Sequence, residues 1–417
     1  QEIAFFSYDD DHKYRLDDSS LKYYYTPTLG ADLSAGLETF RQLDDSRDDH
    51  INALLNTIME KEKETGELFD PDFITYSALL TSLSAFEMNA TLFELTTMPD
   101  SYIEENKEFR NGEEKVQREL KDEMLNKKPE QWKTDAHAGY KFETLSLIPD
   151  IWDNVSREQI ESRDKQIVSN FAQYCSIVRT QIGNSTMVIG GEVDAAVWDS
   201  KPEKAGEPVN YVELKTHKNF YPGRADFSKE SRKFEQKKLR LWAQSCLVGV
   251  PKIIVGFRSE YGILERLEEL DVETIPRSVE APAGRGSWDG KATMNATAQI
   301  LDHLKDTIKA DGPGGVWRIR RQKGKMEIQV FKVQPSGFGN IVPPWFLQWR
   351  LQRRFQQNGP NQSGQDRRGQ EQQQGRNQHD QDQAGQAQQQ GQNQQQGQDM
   401  QDQAQQSQDQ ACQNQAG

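Results

Sequence analysis

Long apolar runs are missing from this chain of 417 residues: no stretch approaches the roughly 18 uninterrupted apolar residues needed to span a bilayer. The opening segment, QEIAFFSYDDD, also lacks the basic-then-apolar order of a secretory signal. A soluble, intracellular protein with no membrane partner is the expectation. Cysteine is scarce too. Cys175, Cys246 and Cys412 cannot build a disulfide framework, and the first two lie among apolar residues, as reduced, buried thiols do. Positive charge is in deficit, with 51 Lys and Arg against 65 Asp and Glu and a formal net charge of −14. Proteins that coat nucleic acid non-specifically neutralise many phosphates with cations, so the balance argues against that class while leaving room for a local basic channel. No His/Cys spacing of the zinc-binding kind occurs.

Apolar residues are also sparse, at 34%, but the shortage is concentrated at the end. Residues 356–417 are mostly Gln with Gly, Asp, Asn and Ala, and have almost nothing to bury against the entropy of ordering them. They are expected to form a disordered tail, a tether or condensation-prone appendage rather than a catalytic element. Residues 1–355 are enough for a sizeable core, in one large domain or two ordinary ones.

Within that body, residues 32–65 read as largely helical, with Leu33, Leu37, Phe40, Leu43, Ile51, Leu54, Leu55 and Ile58 mostly at three- and four-residue spacings and Gly66 placed to end the helix. The Tyr23-Tyr24-Tyr25 run fits an edge strand or an extended arm. Residues 73–83 form a second apolar segment, 87–109 has strand-like stretches, and the charged run 113–127 favours helix. After a polar helix, SREQIESRDKQI, come three consecutive strands over 174–182, 187–198 and 211–215, apolar and β-branched with Gly, Asn and Pro between them. A helix over 229–248, a buried strand over 252–257, a helix over 292–308 and a hairpin over 316–333 complete the body.

The chemistry concentrates in the centre. Glu192 and Asp194 are two apart on a predicted strand, so both side chains emerge on one face. On the next strand Glu213 and Lys215 repeat the arrangement with an acid and a base. If these strands pair, all four polar heads converge. Carboxylates sharing a small space repel one another unless a hard cation neutralises them, and oxygen-rich clusters are what magnesium or manganese prefer. Asp followed by Glu-x-Lys on the next strand is a pattern shared by many nucleases: the acids hold one or two ions that activate water, and the lysine stabilises developing negative charge. The alternative is a solvated sheet face on which Lys215 is a cross-strand partner. Charged residues embedded in VIGG, AAV and YV fit that alternative poorly.

GYKFE (139–143), GGEVDA (190–195), VELKT (212–216) and LWAQSCLVGVPKIIVGFR (241–258) resemble successive motifs of the DXO/Rai-type decapping nuclease family, in order and in separation. AFFSYDD near the start, YCSIVRT and GRGSWDG (284–290) extend the resemblance over nearly the whole body, and the wording is closest to fungal Rai-type members. The resemblance implies a mixed α/β domain of two β-sheets with flanking helices and a PD-(D/E)XK nuclease-like core. It implies that Glu143, Asp194, Glu213 and the backbone carbonyl of Leu214 bind one or two Mg2+ or Mn2+ ions. Glu192, Lys215 and Gln244 would contact water or substrate phosphates, with Cys175 lining the site. Taken alone, Gln244 also reads as a surface helix residue and Glu143 as a plain helix carboxylate. His217 reads as a supporting or surface residue.

One segment departs from the family. FITYSALLTSL carries Ser77 and Ala78 where an arginine and a glycine are usual. Serine cannot reproduce an arginine's two-pronged grip on phosphate, so altered or weakened activity is expected with the metal site intact. The implied function is hydrolysis at RNA 5′ ends: pyrophosphate release from triphosphorylated RNA, removal of unmethylated or non-standard caps, and 5′-to-3′ exonuclease action, in the nucleus. A rival reading is a partner that stabilises a nuclear exoribonuclease of the Rat/Xrn type and has lost its own catalysis. A DNA nuclease of the wider group fits the bare D…ExK spacing but not the longer motifs.

Overall fold

Runs rich in Val, Ile, Tyr and Phe become extended chain, and the segments with apolar residues three and four apart become helix. The computed structural model describes residues 1–44, 50–84, 91–98, 100–105, 131–194, 196–197, 209–279, 288–309, 315–321, 327–333 and 341–357. Its strands are β1 (Glu2–Tyr8), β2 (Tyr14–Arg15), β3 (Lys22–Tyr24), β4 (Phe73–Tyr76), β5 (Thr91–Met98), β6 (Asp100–Glu105), β7 (Leu147–Ile148), β8 (Gln173–Ile182), β9 (Ser185–Val193), β10 (Ala196–Val197), β11 (Tyr211–Lys218), β12 (Lys252–Arg258), β13 (Leu264–Asp271), β14 (Val316–Arg321) and β15 (Ile328–Val333). Its helices are α1 (Asn52–Thr65), α2 (Ser77–Ser84), α3 (Gln131–Ser146), α4 (Arg157–Glu161), α5 (Phe227–Val248), α6 (Ile275–Val279), α7 (Gly290–Lys309) and α8 (Pro344–Gln357).

The strands form two sheets, as expected for this fold. One has nine strands in the order β15-β14-β5-β6-β4-β9-β8-β1-β2, the other six in the order β13-β12-β11-β10-β3-β7. Both faces of the larger sheet are covered. Leu54, Leu55 and Ile58 of α1 pack with Ile74, Ile177 and Val188 on one side. Leu301, Leu304 and Ile308 of α7 pack with Val178, Met187 and Ile189 on the other. The smaller sheet is covered by α3, through Phe142 and Leu145 against Val212, Leu214 and Ile254. Its other side meets α5, through Phe234, Leu241 and Trp242 against Ile253, Val255 and Phe257. The end of α5, with Leu247 and Val248, lies in the core of the larger sheet, so this helix joins the two layers.

Two expectations need correction. Of the helix expected over 32–65, the described residues form α-helix at Asn52–Thr65, ended by left-handed Gly66 as anticipated, and a 3-10 turn at Leu37–Thr39, while 45–49 lie outside the described residues. Leu33 is buried against α3 and β11 instead of facing a helix partner, and left-handed Gly36 breaks the backbone between them. The second correction concerns the carboxylate strands, which do not pair directly. β9 belongs to the larger sheet, and of the strand expected over 187–198 its last part alone, β10, pairs with β11, at Ala196–Val212 and Val197–Tyr211. The polar helix SREQIESRDKQI shortens to α4, opened by a capping box between Ser156 and Gln159, and a 3-10 turn at Arg163–Lys165. The Tyr23 run supplies β3, an interior strand of the smaller sheet. The charged run 113–127 and the Gln-rich segment from 358 onward lie outside the described residues. No described helix is long and apolar enough to cross a membrane.

Candidate active site

The chain changes sheets just after Val193, and Asp194 sits at the changeover between β9 and β10. Two glycines make that strand end possible. A methyl group on Gly191 would lie 2.2 Å from Val248 Cγ1 and 3.0 Å from Ser77 Oγ, and one on Gly190 would lie 2.9 Å from the Tyr76 ring. Only bare backbone lets α2 and the end of α5 approach so closely. Across the β8–β9 ladder Glu192 stands opposite Cys175.

β11 brings the other half. Glu213 and Lys215 share one face, and the Lys215 ammonium lies 2.8 Å from Glu213 Oε1 and 2.9 Å from Asp194 Oδ2. The backbone N–H of Leu214 donates to the same Asp194 oxygen at 2.8 Å. Pairing with β10 stops at Val212, so this edge of β11 is open where Asp194 meets it. A residue's N–H and C=O leave a strand on the same edge, which directs the Leu214 carbonyl toward the carboxylates as well. Gln244 turns inward from α5 and donates its amide to Glu213 Oε1 at 3.1 Å.

Glu143 arrives from α3. The preceding residue, Phe142, presses so closely on Gly256 of β12 that a methyl group there would lie 2.6 Å from its ring, and Gly256 is the neighbour of Thr216 on β11. Helix and sheet are thereby held at short range. Burial holds the Glu143 carboxyl well above the usual carboxylate range, and the charges of Asp194, Glu192 and Glu213 add to this while Lys215 opposes it. Burial and then Asp194 push both Glu192 and Glu213 up to about 7. Glu213 is 2% exposed, whereas Glu192 keeps surface open to solvent although protein crowds its sides. Lys215 is held well above the ordinary lysine value: burial disfavours its charge, but Asp194, Glu213 and Glu143 outweigh burial. The Cys175 thiol is raised by burial and by Glu192, so it is a protonated neighbour rather than a thiolate.

Glu143, Cys175, Glu192, Asp194, Glu213, Leu214, Lys215 and Gln244, scattered over the sequence, thus come to one place. His217 does not join them: it is edge-on to Phe234 at 4.8 Å, with Nδ1 2.7 Å from the Lys218 carbonyl. Sequence reasoning missed Tyr140, one turn before Glu143 on α3. Burial raises its phenol, and Glu143 and Glu192 add to the shift, so it borders the same charges. Its spacing of three from Glu143 was the available signal.

Carboxylate and carbonyl oxygens are hard donors of the kind magnesium and manganese take. Four acids against the single ammonium of Lys215 leave an excess of negative charge that a divalent cation would neutralise. Among the described residues no three His, Cys, Asp or Glu side chains are drawn to a single point; Lys215 holds Asp194 and Glu213 instead.

Residues 1–347 match the family described as RAI1 like PD-(D/E)XK nuclease. The chain is 46% identical over 358 residues to the decapping nuclease RAI1 of Aspergillus fumigatus, covering 84% of this chain and 93% of that protein. Its fold is similar to Candida albicans Rai1 in complex with pU5-Mn2+, with a TM-score of 0.78 and 28% identity, covering 84% of this chain and 95% of that one. It is also similar to Scheffersomyces stipitis Rai1 in complex with (3'-NADP)+ and calcium ion, with a TM-score of 0.76 and 26% identity over 84% and 95%. With the acid-and-lysine set assembled at a junction of two sheets and the sequence matched over almost the whole described body, the chain belongs to the RAI1-like PD-(D/E)XK nucleases.

Proposed function

We propose that this protein is a divalent-metal-dependent hydrolase of RNA 5′ ends, releasing pyrophosphate from triphosphorylated RNA, removing unmethylated or non-standard caps and degrading from the 5′ end. The observation that carries this reading is Asp194 and Glu213 held together by Lys215 at the open edge of β11, with the buried Glu143 near enough to feel both of their charges. Glu143, Asp194, Glu213 and the Leu214 carbonyl would hold Mg2+ or Mn2+, as two ions. When bound, the metal supplies charge neutralisation at the phosphate and an activated water. Lys215 would exchange its carboxylate partners for the negative charge developing on the phosphate oxygens. Glu192, with its open surface beside the cluster, is placed to accept a proton from water. Gln244 orients Glu213 and offers its amide to a phosphate oxygen, and Cys175 forms the wall behind Glu192.

Support for the substrate class comes from the relatives, which carry the name decapping nuclease, and from the related Rai1 proteins bound to pU5 with Mn2+ and to (3'-NADP)+ with calcium. We infer a catalytic domain of residues 1–355, with residues 356–417 as an appendage, and a nuclear location. The second reading, a stabilising partner of a 5′-to-3′ exoribonuclease, is favoured by Ser77 standing where the family's arginine is usual.

The test is Mg2+- or Mn2+-dependent product release from end-labelled RNAs bearing a 5′ triphosphate, an unmethylated cap or a 5′ monophosphate. Asp194→Ala combined with Glu213→Ala should lower release by at least about a hundredfold. No release by the unsubstituted protein, with an exoribonuclease still bound, would replace the enzyme reading by the partner reading.

A further inference from the structure

Lys237 lies seven residues before Gln244 on α5, two turns away on the same face and about 10.5 Å along the axis. Its ammonium donates to the Thr216 carbonyl at 2.9 Å. Thr216 is two residues beyond Leu214, so its carbonyl leaves β11 on the same open edge as the Leu214 amide that holds Asp194. Lys237 is therefore fixed about 6.6 Å farther along that edge, a span that one nucleotide of an extended single strand covers.

The neighbourhood of Lys237 is cationic. Burial and then Lys215, Arg258 and Arg240 press its pKa down to about 8. No carboxylate pairs with it among the described residues; its hydrogen bond goes to a backbone carbonyl. Arg258, at the end of β12, reaches Asp135 at 2.6 Å with one guanidinium nitrogen while its Nε is buried without a hydrogen-bond partner. Arg240 stands one turn along α5 from Lys237 with its side chain exposed. The same cations act on His217, whose pKa is lowered first by burial and further by Lys237 and Arg258. Asp135 offsets Arg258, but among the described residues Lys237 has only a backbone carbonyl as its partner, so a phosphate beside it would relieve the like-charge cost at that ammonium.

From this placement we propose that Lys237, flanked by Arg258 and Arg240, forms a phosphate subsite that grips the phosphodiester one nucleotide away from the scissile phosphate. The inference rests on the reading of the carboxylate centre as an RNA 5′-end hydrolase and adds where the next phosphate goes. It also accounts for how a chain with a net charge of −14 holds a polyanion: a short cation track beside the acids is sufficient, with no basic surface at large.

The experiment is fluorescence anisotropy with 5′-monophosphorylated uridylates of one, two and five nucleotides, with calcium present, over a salt series. The protein is compared unsubstituted and as Lys237→Ala, Lys237→Arg and Arg240→Ala. Lys237→Ala should weaken the two- and five-nucleotide ligands about five- to tenfold and leave the mononucleotide unchanged. It should also reduce the slope of log affinity against log salt by about 0.7, one phosphate's share for a single strand. Lys237→Arg should restore most of the loss, and Arg240→Ala should produce a smaller loss in the same direction. Equal weakening of all three ligands would overturn the subsite, because Lys237 would then only brace Thr216. Should Lys237→Ala not fold, an unchanged salt slope in Arg240→Ala decides against the proposal. An unsubstituted protein that binds none of the ligands overturns the nuclease reading and the subsite together; normal binding by every variant removes the subsite alone.

Discussion

Glu192 and Glu213 titrate near 7 in the folded protein because burial and the Asp194 charge disfavour their ionised forms. In the unfolded chain a glutamate titrates at about 4.3. The folded state therefore binds more protons across this window. The resulting stabilisation is complete below about 4.3 and is lost as pH rises through about 7. Metal-free protein should accordingly melt at progressively lower temperature from about pH 5 to about pH 8, and Mn2+ should raise the melting temperature more at the upper end. Glu192→Gln should flatten part of that slope; a melting temperature independent of pH in chelator would contradict the assignment. Ser77 offers a second test. It is 4% exposed at the first turn of α2, beside Gly191. Ser77→Arg should tighten RNA binding about tenfold by adding a phosphate fork, while crowding the corner at a cost of about 1–3 kcal/mol measured by denaturant unfolding. Glu192, Asp194, Glu213 and Lys215 stood out in the sequence as charged residues at alternating positions in neighbouring apolar runs, whereas Glu143 and Gln244 entered through the family resemblance. Lys237 did not stand out, since nothing in a charged helix announces which neighbours a side chain will meet, and Tyr140 had only its spacing of three from Glu143 to point to it.

At the scale of elements, the strands β8, β9, β11 and β12 and the helices α5 and α7 were readable from apolar periodicity, and the structure places them within a few residues of expectation. Their pairing was not. The short connection does join antiparallel neighbours, β10 and β11, but the change of sheet comes earlier, at Asp194, and leaves β9 outside that pairing. The deciding contacts are remote: Val248 and Ser77 against Gly191, and Phe142 against Gly256. Gly191→Ala should thus lower stability by about 1–3 kcal/mol, since its methyl group would collide with Val248. Gly191→Ala with Val248→Ala should be less destabilised than the sum of the two single changes, as a double-mutant cycle by urea unfolding would record. Simple additivity would mean that the contact does not set the strand's position. The absence of α-helix over the described residues 32–44 has a similar origin, because Leu33 repeats at helical spacing with residues that serve other neighbours.

At the scale of the molecule, the residues named for the carboxylate centre from the sequence lie between Glu143 and Gln244, and the family model matches residues 1–347. Removal of residues 358–417 should leave kcat and KM on short 5′-triphosphorylated RNAs unchanged within about twofold; a larger fall would assign the Gln-rich segment a part in turnover. The larger sheet also ties distant parts of the chain together, for β5 is hydrogen-bonded to β14, with Thr96 opposite Val316. The α7 residues Leu301, Leu304 and Ile308 that cover the same sheet come well after Gln244. Translation at about 5–20 residues per second leaves roughly 3–13 s between synthesis of Gln244 and of Ile308. During that interval all the acids have been made, but the apolar face of β8 and β9 that supports them is uncovered. The layer that covers β8 and β9 is completed by α7, so the fold that positions the acids is finished late in the protein's own synthesis.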